Sequence, residues 1–188
     1  MGKLIYSALS SLDGYIEDEG GQFDWAVPSD EVHAFINDLT RPVGTHLYGR
    51  RMYEVMRVWE TEPSLAEQSP VMADFARLWQ AADKVVFSRT LQAVSTSRTR
   101  LEREFEPDAI RQMKAREEQD LVIGGPTLAT IAFRAGLVDE CQLFLAPISV
   151  GGGKRSLPIG LHLHLDLVEQ RQFRNGMVYV RYLIKKRG

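Results

Sequence analysis

Three short segments combine glycine, hydroxyl groups and arginine where a strand hands over to a loop or helix. They are Gly49-Arg50-Arg51, Ser88-Arg89-Thr90 and Ile123-Gly124-Gly125-Pro126-Thr127. Each has the chemistry to hold an anion. Two arginines at a helix start oppose the helix macrodipole, which favours negative charge there. A bound phosphate removes that conflict by engaging free backbone N–H groups and a guanidinium together. The competing reading is a pair of solvated arginines, one of them tied to Glu54. Ser88, Arg89 and Thr90 suit a phosphate ester, and equally a plain turn closed by a hydroxyl. Gly124-Gly125 permits close backbone approach and opens a helix whose N-terminus attracts negative charge; a tight strand-to-helix turn asks for the same glycines.

A fourth glycine cluster, Gly151-Gly152-Gly153-Lys154, fails both common nucleotide motifs. A phosphate-binding P-loop needs Gly where Ile148 stands and Ser or Thr where Arg155 stands. In the dinucleotide Gly-x-Gly-x-x-Gly pattern, counted from Gly151, the last glycine would fall on Ser156. The bland reading is a flexible loop with a solvated Lys154-Arg155. His162 and His164, two apart on an expected strand, have metal-ligating chemistry but no third ligand by spacing, so exposed strand histidines are expected and no metal site is assigned. No Gly-x-Ser-x-Gly nucleophile elbow occurs. The lone cysteine, Cys141, excludes an internal disulfide and any site needing two thiolates from one chain.

The elements that must position these segments come from a chain of 188 residues, the size of one domain. Twenty-three basic against 25 acidic side chains leave a net charge of −2, which supplies no global field to gather nucleic acid or an anionic membrane. No apolar run reaches bilayer length, and the N-terminus enters a strand without a signal-peptide pattern, so a cytoplasmic protein is expected. Gly2 does not begin a myristoylation motif, because Tyr6 stands where Ser or Thr is needed.

Residues 3–9 read as a buried first strand, followed by a long polar loop over 10–28 of the kind that is usually functional. Ser29 or Asp30 caps a helix to about Leu39 with Val32, Phe35, Ile36 and Leu39 inward. A short strand at 45–48, a helix from about Arg50 to Glu60 and a second helix over 71–81 follow. Strands are expected at 83–88 and 92–96, a solvated helix at 107–118, a buried strand at 121–123, and a helix from Pro126 to near Gly136. The strand 139–148 and a hairpin of 163–173 with 177–186 about Asn175-Gly176 close the chain. Strands alternate with helices and then run consecutively. That order predicts an α/β fold with a mostly parallel central sheet flanked by helices and a C-terminal antiparallel hairpin, in a single domain over 1–188.

In chain order, Ser10-Ser11-Leu12-Asp13-Gly14-Tyr15-Ile16, Tyr48-Gly49-Arg50-Arg51-Met52-Tyr53, Val86-Phe87-Ser88-Arg89-Thr90-Leu91, Ile123-Gly124-Gly125 and Pro147-Ile148-Ser149-Val150-Gly151-Gly152-Gly153 together resemble the dihydrofolate reductase-like superfamily. The nearer resemblance is to the C-terminal reductase domain of bifunctional riboflavin biosynthesis proteins and its single-domain relatives, and a single-domain protein without a preceding deaminase domain is expected. The resemblance implies a dihydrofolate reductase-like sheet, NADPH as cofactor, a homodimer, and hydride transfer to a pterin- or pyrimidine-like heteroaromatic. It sets Gly49, Arg50 and Arg51 beside the cofactor phosphates and Ser88, Arg89 and Thr90 at the 2′-phosphate. Ile123, Gly124, Gly125, Thr127 and Leu128 then follow the diphosphate and nicotinamide, while Pro147, Gly151, Gly152 and Gly153 close the substrate wall. Asp13 is the first candidate for the proton donor, its other role being to cap the loop turn. Asp30 and Glu31 are alternative acids, and Trp25 and Tyr53 are candidates to stack on the substrate ring or are simply core aromatics. The acidic Glu17, Asp18 and Glu19 in the 10–28 loop leave no basic group there for a ribose phosphate. The alternative function is a dimeric nucleotide-binding module without turnover.

Overall fold

Six parallel strands set the architecture of the protein, whose computed structural model describes residues 1–185. They are β1 (Leu4–Ser11), β3 (Val43–Gly49), β4 (Asp83–Phe87), β5 (Thr99–Glu102), β6 (Asp120–Gly124) and β7 (Glu140–Ala146). The hairpin β9 (Leu165–Gln172) and β10 (Val178–Ile184) adds antiparallel to β7, giving an 8-stranded sheet in the order β5-β4-β3-β6-β1-β7-β10-β9. A separate ribbon pairs β2 (Tyr15–Glu17) with β8 (Lys154–Arg155). The expected mixed sheet with its C-terminal hairpin is what forms; of that hairpin, residue 186 lies outside the described residues.

Strand alternation sends successive side chains to opposite faces, so each strand feeds two cores. Leu4, Tyr6, Leu47, Val85, Leu121 and Ile123 face α6 (Pro107–Arg116) and α7 (Pro126–Arg134). Tyr48, Val86, Phe144 and Ala146 face α1 (Asp30–Thr40) and α5 (Pro70–Ala81) on the other side. The α1 stripe of Val32, Phe35, Ile36 and Leu39 lies inward as its spacing requires. Ser29 caps this helix, its Oγ accepting from the Val32 amide at 3.4 Å, and Ser69 caps α5 from the Met72 amide at 3.2 Å.

Three local expectations fail. Residues 92–96 are not a strand. The Tyr53 hydroxyl accepts from the Ser95 amide at 2.8 Å and bonds Thr96 Oγ1 at 3.0 Å, while Glu60 takes the Ser97 amide at 2.7 Å. The segment is pinned as a loop, and pairing begins only at Thr99. The helix from Arg50 is broken into α2 (Arg50–Met56), α3 (Val58–Thr61) and α4 (Pro63–Ala66), with Arg57 at ψ −21 starting a new turn. His162 and His164 are exposed but precede β9 instead of lying on a strand. The 10–28 loop also carries β2 and a single 3₁₀ turn, Asp24–Ala26.

Two basic groups are sealed between β3 and β4. Lys84 donates to the Trp79 and Gln80 carbonyls at 3.1 and 3.4 Å, capping the C-terminus of α5, with its ammonium 4.4 Å from the Trp79 ring centroid. Beside it in register, His46 stacks on Tyr48 with ring centroids 5.6 Å apart. Burial, and then the Lys84 charge, pulls the His46 pKa down to about 4. The folded state therefore holds this imidazole neutral while the unfolded chain takes up a proton below about pH 6.5. Stability from His46 is fully present above that pH and is lost as pH falls towards 4, by up to about 3 kcal/mol. Urea midpoints measured from pH 7 to pH 4.5 should drop more steeply for the wild type than for His46→Gln; parallel slopes would show that His46 is not the group being protonated.

Candidate functional site

Because the strands run parallel, Ser11, Gly49, Phe87, Gly124 and Ala146 end at one edge of the sheet, and the loops that follow them meet there. Arg50 links two of these loops: its Nη1 donates to Thr90 Oγ1 at 3.0 Å while its Nε holds Glu54 at 2.8 Å. The β3 and β6 loops are equally close. A Cβ on Gly49 would lie 3.9 Å from that of Leu128, and one on Gly124 would crowd Tyr48 and Met52 at 3.1 and 3.2 Å. Gly125 holds φ +89, a conformation costly for any side chain. No side chain caps α7, and Pro126 at its first position has no N–H, so the Thr127 and Leu128 amides open onto the edge. The three anion-suited segments thus form one continuous rim.

Each rim arginine already has an acid. Arg50 pairs with Glu54, Arg51 with Glu17 at 3.0 Å and Arg89 with Glu104 at 2.8 Å. These arginines are exposed, and such pairs contribute little to stability. A guanidinium has five donors, so N–H groups stay open to a further anion. The Ser88 hydroxyl is committed to its turn, accepting from the Thr90 and Leu91 amides at 3.3 and 3.0 Å, and the residue is buried. The side chains of Ile123 and Leu128 lie in the core, so only their backbone faces the edge, whereas Thr127 is exposed.

The glycine cluster, the candidate for the opposite wall, packs against the β2 segment. Gly153 sits at φ +126 with its α-carbon against β2; a Cβ there would fall 2.0 Å from the Glu17 carbonyl oxygen, and one on Gly152 2.6 Å from Glu19 Oε1. Asp13 fastens the preceding turn. Its carboxylate accepts from Ser149 Oγ at 2.9 Å, the Val150 amide at 3.1 Å and the Gly151 amide at 2.7 Å. The Ser11 hydroxyl, and then these donors, hold the Asp13 carboxyl well below the usual carboxylate range. Of the two roles weighed for Asp13, a carboxylate kept ionised by three donors fits the turn cap, here a clasp, better than the proton donor. Pro147 is exposed beside Gly176 in the hairpin turn.

The aromatic candidates also move. Tyr53 is fully buried, with its ring among Tyr48, Phe75, Trp79 and Val86 and its hydroxyl on Thr96, so it is core and not a stacking face. Trp25 is half-buried against the cluster of Val32, Phe144 and Phe173, and its indole N–H is buried without a partner. Glu31 accepts from the Arg174 amide at 3.1 Å and so braces the hairpin turn. Cys141 is buried, which pushes its thiol up to about 12 and keeps it protonated. Among the described residues no group of three or more His, Cys, Asp and Glu side chains is placed to hold a metal, and no helix is long and apolar enough to cross a membrane.

Sequence reasoning missed the β2–β8 ribbon and the hollows it borders. Glu17, Asp18, Glu19, Arg51 and Lys154 line one; Gly14 and Arg155 line another. The only local signal was the basic pair Lys154-Arg155. The clasp gives a direct test: Asp13→Ala should raise amide hydrogen exchange at Val150 and Gly151 about tenfold or more, by freeing that turn. Unchanged exchange would mean that other contacts hold the loop.

Comparison with known proteins agrees with this geometry. The sequence matches the model of the RibD C-terminal domain over residues 2–179. The uncharacterized protein YyaP of Bacillus subtilis (strain 168) is 26% identical over 182 residues, which is 96% of this chain and 94% of the relative. Among solved structures, a putative riboflavin biosynthesis protein from Shewanella sp. PV-4 superposes with a TM-score of 0.75 at 21% identity, covering 98% of this chain and 99% of that one. A deaminase/5-amino-6-(5-phosphoribosylamino)uracil reductase from Thermotoga maritima gives a TM-score of 0.65 at 13% identity; it covers 98% of this chain, which spans only 57% of that longer protein. A pyrimidine reductase-like protein from Corynebacterium diphtheriae gives 0.64 at 14% identity, covering 99% of this chain and 93% of that one. The fold is therefore the one that these reductase domains share, and the chain belongs to the RibD C-terminal domain family.

Proposed function

We propose that the protein is an NADPH-dependent reductase acting on a pterin- or pyrimidine-like heteroaromatic small molecule, as a cytoplasmic homodimer. The observation that carries this reading is the continuous rim at the carboxyl edge, where Arg50 joins the β3 and β4 loops and the uncapped start of α7 lies against Gly49. Its donor set is right for a dinucleotide phosphate: open guanidinium N–H groups on Arg50, Arg51 and Arg89, the Thr90 hydroxyl, and the Thr127 and Leu128 amides. Membership of the RibD C-terminal domain family supports the same cofactor and reaction class.

NADPH, when bound, supplies a hydride. The chain's own contribution is placement. Arg89 and Thr90 would take the 2′-phosphate, Gly124 and Gly125 admit the backbone close to the diphosphate, and the Asp13 clasp holds the 147–153 wall at a fixed distance from the rim. Burying the reacting ring between that wall and the 11–16 segment excludes water. The clasped, ionised state of Asp13 favours a different proton source, either another acid or the solvent, and it is the observation that keeps a non-catalytic nucleotide-binding module as the second reading.

Titration by nicotinamide fluorescence tests the cofactor. Arg89→Ala should weaken NADPH about tenfold or more, the loss of one charge-assisted contact, and leave NADH nearly unchanged. Equal loss for both would remove Arg89 from the 2′-phosphate, and no NADPH binding by the wild type would overturn the reading. Steady NADPH oxidation with dihydrofolate or a ribosylaminopyrimidine separates the enzyme from the silent module.

A further inference from the structure

Arg155 stands apart from the rim arginines. Among the described residues it has no carboxylate within ion-pair distance, whereas Arg50, Arg51 and Arg89 each have one. It is nevertheless held in place. Its guanidinium lies over the Tyr15 ring, 4.5 Å from the centroid, directly across the β2–β8 pairing. The backbone beneath it is tied down: the Ser156 amide donates to the Gly14 carbonyl at 2.9 Å, Ser156 Oγ to the same oxygen at 3.2 Å, and the buried Tyr6 hydroxyl to the Ser156 carbonyl. One face of the guanidinium is thus spent on an aromatic ring, and its in-plane N–H groups are left to meet a planar acceptor.

What lies beside it is apolar. Arg155 lines a hollow of about 380 Å³ with Gly14, Ser156, Leu157, Pro158 and Ile159. Neighbouring strand residues point to opposite sides, so Lys154 lines the separate hollow with Glu17, Asp18, Glu19 and Arg51. The ribbon therefore divides an acid-rimmed groove from an apolar one with a single preorganised cation. At Gly14, φ is +90, and a Cβ would meet Arg155 Nη1 at 3.9 Å and Ser156 Oγ at 4.0 Å, so the absence of a side chain keeps the approach to the guanidinium open.

We propose that Arg155, stacked on Tyr15, is a specificity-determining residue that takes a carboxylate on the substrate, whose apolar or aromatic body lies along Leu157, Pro158 and Ile159. As a substrate subsite this rests on the reductase reading, since the 11–16 segment flanks both. A carboxylate fits better than a phosphate monoester. One planar guanidinium pairs a planar monoanion bidentately, whereas a phosphate dianion is served best by several cations converging on it, and Lys154 and Arg51 line the other hollow.

The test uses the full chain with benzoate, benzamide and inorganic phosphate as probes, and reads binding by calorimetry and chemical-shift change at the Gly14 and Ser156 amides. Benzoate should bind and shift those amides, and benzamide should bind at least about tenfold more weakly for want of the charge-assisted pair. Arg155→Ala should lose about tenfold or more in benzoate affinity, Arg155→Lys should fall between because it keeps charge without the fork, and Tyr15→Leu should weaken binding by freeing the guanidinium. Arg155 is exposed, and unchanged urea midpoints in its variants would attribute these losses to the site. Equal binding of benzamide, tighter binding of phosphate, or no benzoate binding would each overturn the proposal. NADPH titration of the same samples keeps the two claims apart: NADPH binding without benzoate overturns the subsite alone, whereas benzoate binding without NADPH overturns the reductase reading, and with it the substrate role, and leaves the carboxylate site standing.

Discussion

Parallel pairing is the constraint on which the rest of the structure depends. A strand that must lie parallel to its neighbour has to return through a crossover, and in this chain the crossovers put helices on both faces of the sheet. Both faces are then dry, and strands such as Leu121-Val122-Ile123 and Lys84-Val85-Val86 are mostly sealed in the core. The same geometry delivers every parallel strand's carboxyl end to one edge. Loops distant in sequence are brought together there by the sheet, so that Arg50 reaches Thr90 across 40 positions.

Once the sheet is set, the edge is finished by polar fastening. Asp13 gathers three donors from the 149–151 turn and the Tyr53 hydroxyl fixes Ser95 and Thr96, while at the opposite end of β4 Lys84 closes the last carbonyls of α5. Hydrogen bonds to charged or buried groups matter here because an unmade one leaves a desolvated group unsatisfied. They explain why the loops beside the rim are shaped although they are not regular structure. Close packing adds to them: Gly153 leaves no room for a side chain against the backbone of Glu17 and Asp18.

Much of this was legible in the sequence. The helix at 30–40 announced itself by a Ser cap and an apolar stripe, the one expected at 71–81 by its apolar stripe, the strands by short apolar runs, and the hairpin by Asn175-Gly176. The Arg50–Glu54 pair was readable because four residues make one helical step. Residues 92–96 were misread because their loop is decided by Tyr53 and Glu60, more than 35 positions away. The sequence left two roles open for Asp13 for the same reason: its donors lie 136 to 138 positions downstream. The acid partners of Arg51 and Arg89, 34 and 15 positions distant, had no sequence signature either.

Local order therefore belonged to the sequence: which segments are strands and helices, which residues face inward, and which glycines and arginines fall at strand ends. Those features follow from periods of two and 3.6 residues and from caps that act within a turn. Tertiary structure alone decided which of those residues act together. It made Asp13 a clasp and Tyr53 core, gave the rim arginines their partners, and left Arg155 stacked on Tyr15 with no ion-pair partner among the described residues, beside an apolar hollow. The reason is physical. Charge pairing and desolvation depend on distance in space, and a parallel sheet makes neighbours of residues that the chain keeps far apart.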